Sequence, residues 1–373
     1  MCSRATSNRR SSRSRTRKSA AKRQSSRRLY SEGEMMKRVV TAILAAASLC
    51  VLSAGVPANA QETKLLFADV VPPGSVIDAK VVQAWAQKVN AEGKGVLSVD
   101  VRPGPSMATF ENVYDRVLSD VAQIGWEIQA AVGGKFPRSN VVALPMITDD
   151  PVASSVSFWR LYKSGALAAE YDQAVPIMLV TLPPSAFHFA KPLKTLDNFN
   201  GEKLIVPNKV VGDALSALGG APLSLPLTDM YPAIQRGTAD GTMIAWVAFN
   251  PWKLFEVTHY HVDVAFGGAA GMIFMSKAKY DTLSPAARKI IDANSGEAQS
   301  RAFGQVMEDE DKAQRAAVKA MPNQTFVTPT PAQIAAWQKK ITPVIDQWTK
   351  VVPSGDVVLA QFKKNLADIK AGH

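Results

Sequence analysis

The chain has 373 residues, with 43 Lys plus Arg against 32 Asp plus Glu and a formal net charge of +11. That excess sits at one end: residues 1–60 hold 13 of the basic and 2 of the acidic residues, leaving 30 of each in residues 61–373. A body of zero net charge offers no electrostatic footprint for nucleic acid or an acidic membrane, so the high pI argues for neither.

Residues 1–35 are crowded with Arg, Lys and Ser ("SNRRSSRSRTRKSAAKRQSSRR") and cannot bury enough apolar surface to offset their ordering entropy. We read them as a disordered or over-called leader, with the true start at Met35 or Met36. Residues 36–60 have the three parts of a secretory signal peptide: basic Lys37-Arg38, apolar Val39 to Val51, and the small-residue site Ala58-Asn59-Ala60. Cleavage is expected after Ala60, which makes the product an exported protein. Cys2 and Cys50 both precede that point, and Leu49 is too bulky for a lipobox. The remaining 313 residues hold no cysteine, so disulfides and thiolate metal sites are not expected. No later run of about 18 apolar residues reads as a membrane-spanning helix.

From residue 61 the chain alternates strand and helix signals. "TKLLFADVVPPGS" reads as a strand closed by Pro72-Pro73-Gly74, and "VIDAKVVQAWAQKVNAEG" as a helix with Val82, Trp85 and Val89 on one face. "VLSVDVRPG" alternates as a strand, and "ENVYDRVLSDVAQIGW" as a helix followed by a strand ending at Trp126. A loop with Pro145, a long amphipathic helix and the buried strand "IMLVTLPP" follow. The rhythm restarts with "HFAKPLKTLDNFNGEKLIVPN", the helix "VGDALSALGG" and the strand "APLSLPLTD". Next, "MYPAIQRGTADG" reads as a helix capped by Thr228 and Asp229 and stopped at Gly237, leading into an apolar strand "TMIAWVAF". "HYHVDVAFGG" and "AGMIFMSKAKYDTL" read as strands, and from Ser284 the chain is strongly helical.

This pattern predicts an α/β protein of two lobes with crossover connections and a helical C-terminal region. Residues 61–185 would form lobe 1, completed by about 269–305, and 186–268 lobe 2, completed by about 306–373. A ligand would sit in the cleft at the carboxyl ends of the strands.

Several segments in this order resemble the solute-binding proteins of tripartite ATP-independent periplasmic (TRAP) transporters, of the C4-dicarboxylate-binding (DctP-like) type. They are "FADVVPPGS", "RPGPSM", "LPMITDD", "KPLKTLDNFNGEKLIVPN", "MYPAIQRGTADG" and "LSPAARKIIDAN". The resemblance implies a periplasmic-binding-protein-like Venus flytrap, no catalysis, no cofactor, and delivery of a small organic solute to TRAP permease subunits. It also implies an Arg in a Gly-x-Lys-x-Arg-x-Pro segment that pairs with the ligand carboxylate. Here Gly201, Lys203 and Pro207 stand in place, but the Arg position is Ile205. After Asp240-Gly241 the family's polar Gln-Glu-Asn-Pro is replaced by Thr242-Met243-Ile244-Ala245, then Trp246.

An isoleucine supplies no donor for a carboxylate, whereas aromatic walls bury area and stack on rings. We therefore expect an aromatic acid, a monocarboxylate or an uncharged solute rather than a dicarboxylate. Trp126, Met146, Ile205, Met243, Ile244 and Trp246 are the candidate walls. His188, close to Lys191, and Asn208 are the candidate orienting contacts, and Glu127 could hold a hydroxyl or amine. Two other classes stay open on sequence alone. One is a sensory receptor of the same fold. The other is a metal-dependent enzyme using His259 and His261, for which no third ligand with recognisable spacing exists and no metal is expected.

Overall fold

The computed structural model describes residues 62–373. The expectations for the leader and the signal peptide fall outside that range. The first lobe opens with β1 (Thr63–Asp69), a π-helical turn (Ile77–Val82) running into α1 (Gln83–Glu92), and β2 (Leu97–Pro103). It continues with α2 (Val113–Leu118), β3 (Ile124–Ile128), α3 (Pro151–Lys163) and β4 (Ala174–Leu182). The start of α3 is fixed locally: the Asp150 side chain accepts from the Ala153 amide at 2.8 Å and Pro151 occupies the first turn.

The second lobe holds β5 (Ala186–Phe189), β6 (Lys203–Ile205), α4 (Lys209–Ala217), β7 (Ala221–Leu223), α5 (Leu227–Gln235), β8 (Gly241–Ile244), the short α6 (Phe249–Trp252) and β9 (Tyr260–Val262). The chain then returns to the first lobe as β10 (Ala269–Ser276) and α7 (Lys277–Thr282). The helical end comprises α8 (Pro285–Ala293), α9 (Glu297–Lys319), the short strand β11 (Thr325–Val327), α10 (Pro331–Val351) and α11 (Gly355–Lys370).

Two mixed sheets result. The first has the order β2-β1-β3-β10-β4, and β10 enters antiparallel between β3 and β4. All eight residues of β10 are buried, which is why its sequence is apolar from Ala269 to Met275 rather than alternating. The second sheet has the order β11-β9-β5-β8-β6-β7, with β5 antiparallel to both β8 and β9.

Four connections pass between the lobes. Residues 183–185 join β4 to β5, and residues 263–268 join β9 to β10. These two are zipped together where the Ser185 amide donates to Gly267 O and the Phe266 amide to Ser185 O. The helix α9 buries Phe303 and Met307 in the first core and Val318 in a core of the second lobe. Along α10, Trp337 and Ile341 belong to the second lobe's core and Trp348 to the first.

Three local expectations are corrected. The helix expected to be capped by Thr228 and Asp229 instead takes in both residues, starting at Leu227 after Pro226, with no side-chain cap. Proline already holds the extended entry, with φ −55° and ψ 149°. The strand expected over "TMIAWVAF" ends at Ile244; Trp246–Ala248 form a 3-10 turn and Phe249–Trp252 a helical one. The extreme C-terminus, assigned with 306–373 to the second lobe, packs α11 against α3 of the first. Asn365 Nδ2 donates to Ser157 O there, and Phe362 is buried in the first core.

Candidate functional site

The chain path locates the cleft. Strand β4 ends at Leu182 and β5 begins at Ala186 after only three residues, so the carboxyl ends of β1, β3 and β4 point toward the second lobe. In the second sheet Ala186 pairs with Ile244, so the carboxyl ends of β6 and β8 point back toward the first. Ligands of open α/β sheets lie outside such strand ends. At or just beyond those strand ends stand Asp69 and Ile128 in the first lobe, and Ile205, Asn208 and Ile244 to Trp246 in the second.

Alternation along each strand decides which expected wall residues share a side. His188 pairs across β5 and β8 with Thr242, and across β5 and β9 with His261. Ile205 pairs with Thr242. His188, Ile205, Ile244 and Trp246 are thereby gathered on one face of the second sheet. There Ile205, 1% exposed, lies in a cluster with Met230, Ile234, Trp246 and Phe249. The Trp246 ring centroid is 4.5 Å from His188 and 5.0 Å from Phe326, on which it stacks.

Met243 points the other way, into a core with Phe187, Leu204 and Trp337, and Met146 packs against that same cluster. Trp126 and Glu127 are neighbours on β3 and so cannot share a wall. Trp126 lies beneath α9, its ring 5.4 Å from Phe303, with its indole N–H unpartnered. Glu127 is buried with both carboxyl oxygens unpartnered, and burial pushes its pKa up to about 8.

Asn208 caps α4. Its Oδ1 accepts from the Val211 amide at 3.0 Å, and its Nδ2 reaches Gly268 O, in a connection between the lobes, at 3.3 Å. The amino end of α4 is thus tied to a connection between the lobes, and at such an end backbone N–H groups and the helix dipole favour an anion. His188 is fully buried and occupied. Its Nε2 lies 2.9 Å from Ile244 O and its Nδ1 3.0 Å from His261 Nδ1. His259 is exposed while His261 is buried, so the two imidazoles of "HYH" do not converge. Among the described residues no three His, Cys, Asp or Glu side chains gather as a metal cluster.

Sequence reasoning passed over two acidic features. Asp69, the last residue of β1, is fully buried beside Asp78 of the π-helical turn. Asp78 Oδ2 accepts from the Gly74 amide at 2.6 Å and Oδ1 from Gln83 Nε2 at 3.0 Å. Asp69 Oδ2 has no partner outside that carboxyl pair. Burial, and then the Asp78 charge, raise the Asp69 pKa to about 8, so it is a neutral acid able to donate a hydrogen bond at neutral pH. An aspartate inside the apolar run "LLFADVV" was the available signal. The second feature, Asp311 on α9, accepts from the Val247 amide at 2.9 Å. It anchors the turn that carries Trp246, and nothing in the surrounding "MEDEDK" marks it out.

A profile described as bacterial extracellular solute-binding protein, family 7, matches residues 67–351. The outer membrane transporter protein TsaT of Comamonas testosteroni is 26% identical over 309 residues, spanning 80% of this chain and 89% of its own. A TRAP solute-binding protein from Rhodoferax ferrireducens T118, solved with copurified benzoate, is similar at 28% identity with a TM-score of 0.78. That match covers 83% of this chain and all of the other. A marine metagenome TRAP solute-binding protein, solved with 3-hydroxybenzoate, shares the fold at 24% identity and a TM-score of 0.78, over 83% of this chain and 99% of its own.

Proposed function

This chain belongs to family 7 of the bacterial extracellular solute-binding proteins, and on that premise we propose that it captures a small aromatic monocarboxylate between its lobes and hands it to a TRAP-type membrane permease. The observation that carries the ligand class is Ile205. Where the family resemblance implies a carboxylate-pairing guanidinium, an isoleucine is packed among Met230, Ile234, Trp246 and Phe249. That wall matches a ring and repels a second carboxylate, whose burial without a partner costs several kcal/mol. The benzoate found with the Rhodoferax ferrireducens relative supports the same class.

In this reading, Trp246 and Ile244 form the apolar side. The carboxylate meets the amino end of α4 at Asn208, and the protonated Asp69 faces it from β1. A ring hydroxyl is a fitting partner for Asp69. Binding draws the lobes together, and the permease recognises the closed form.

The test is a thermal-shift panel of benzoate, hydroxybenzoates, aliphatic monocarboxylates, dicarboxylates and neutral or amine solutes. A ligand that binds only the folded state raises the melting temperature by mass action. A shift with aromatic acids and none with succinate is expected. A succinate shift without an aromatic one would overturn the proposal.

A further inference from the structure

The buried histidine pair raises a question of hydrogen counting. Three contacts run in series through the second lobe: Ile244 O to His188 Nε2 at 2.9 Å, His188 Nδ1 to His261 Nδ1 at 3.0 Å, and His261 Nε2 to Gln324 Oε1 at 2.8 Å. The Gln324 amide nitrogen is committed at the far side, donating to Phe255 O at 3.1 Å. Both ends of the chain are therefore carbonyl acceptors. Each of the three contacts needs one hydrogen, so the two rings must carry three N–H between them. Two neutral imidazoles have only two. In the neutral pair one contact always sets acceptor against acceptor, and turning the Gln324 amide only moves the clash to Phe255 O.

The surroundings pull in both directions. Burial opposes charge, holding His188 well below the ordinary histidine range and His261 down at about 4. Against this, Trp246, Phe249 and Phe326 box the pair in, with centroids 4.5 and 4.6 Å from His188 and 4.9 Å from His261, within cation–π range of an imidazolium. Few charged groups lie nearby. His259 is two residues along the chain, and its charge would lower the His261 pKa. Asp263 raises it but is ion-paired with Arg315 of α9. Asp311 accepts from the Val247 amide in the Trp246 turn, and Lys319 lies over the Phe326 ring.

We propose that His188 and His261 form one buried proton site, which takes up a single shared proton and thereby completes a hydrogen-bonded link from the end of β8 to Gln324 beside β11. The site goes beyond solute capture and does not depend on the ligand's identity. Taking up the proton turns the one contact between two lone pairs, wherever it falls in the series, into a hydrogen bond, and a second proton has no acceptor to meet.

The chain has four histidines, so its ring nitrogens can be followed individually by 15N NMR during an acid titration. The expected result is one step below the ordinary histidine range, shared by both rings, taking the pair from two N–H to three while the fold persists. Gln324 is only partly buried, which allows two complementary variants. Gln324→Glu places a carboxylate at the end of the chain and should raise the common step by about 1–3 pH units. Gln324→Leu removes one terminal acceptor and should lower it. Two separate steps that leave four N–H in the folded state, or a common step that neither variant moves, would overturn the proposal.

Discussion

Replacing Asp69 with asparagine should stabilise the protein, and by an amount that depends on pH. The carboxyl group is fully buried at the end of β1 and its pKa rises from 3.8 to about 8 on folding, through burial and then the Asp78 charge. Because the folded pKa is raised, the folded state keeps a proton that the unfolded chain releases above about pH 4. Stability therefore falls as pH rises from there to about 8, by about 1.4 kcal/mol per pH unit for this one group. The accumulated cost at pH 7 is of order 4 kcal/mol. Asparagine has the shape of the neutral acid, its amide can donate to Asp78, and it does not ionise. In urea unfolding the variant should match wild type near pH 4 and exceed it by about 2–4 kcal/mol at pH 7. A difference that stays the same at pH 5 and pH 7, or one that turns against the variant as pH rises, would refute the assignment of a neutral buried Asp69. If Asp69 also meets a ligand hydroxyl, the added stability should come with weaker binding of hydroxybenzoates and unchanged binding of benzoate.

Gly241→Ala should be among the most damaging single methyl additions, because its Cβ would lie 2.0 Å from His188 O, in rigid backbone of the adjacent strand. A loss of about 3 kcal/mol or more is expected by chemical denaturation. Gly237→Ala, which meets open space but must keep φ at +71°, should cost only about 1–2 kcal/mol. Asp311→Ala leaves the Val247 amide without its acceptor and should cost about 1–3 kcal/mol, with faster hydrogen exchange at that amide. Ile205→Arg puts a cation into an apolar wall and should weaken the aromatic ligand at least about tenfold by calorimetry. Tighter binding by that variant would place the ligand carboxylate at residue 205 and refute the reading of this wall.

The two-centred strand and helix rhythm was legible because local periodicity encodes it, and so was the stop at Gly237, where φ is +71°. Which side of a strand each candidate occupies is partly legible in the sequence. Trp126 with Glu127, and Met243 with Ile244, are adjacent residues of strands β3 and β8, and a period of two places them on opposite faces. What no local pattern could show is the company a side chain keeps far along the chain. His188 meets His261 across 73 residues, and Val247 meets Asp311 across 64. Those contacts depend on strand order and on the course of α9, and neither is written in hydrophobic spacing. The expected role of His188 as a cleft anchor followed from its position in the sequence, whereas its two ring nitrogens are already engaged inside the lobe.

The long helix α9 has a mechanical meaning. Its 23 residues make a rod about 35 Å long. Near one end, Phe303 and Met307 seat it in the first lobe; further on, Asp311 grips the Trp246 turn, Arg315 pairs with Asp263, and Val318 seats it in the second. A rod fastened to both bodies forbids sliding and separation, and leaves bending or rolling about its own axis as the cheap ways to part them. The jaws of this receptor therefore share an axle, and the hold that its Asp311 and Arg315 keep on Val247 and Asp263 sets how far they can turn before something must let go.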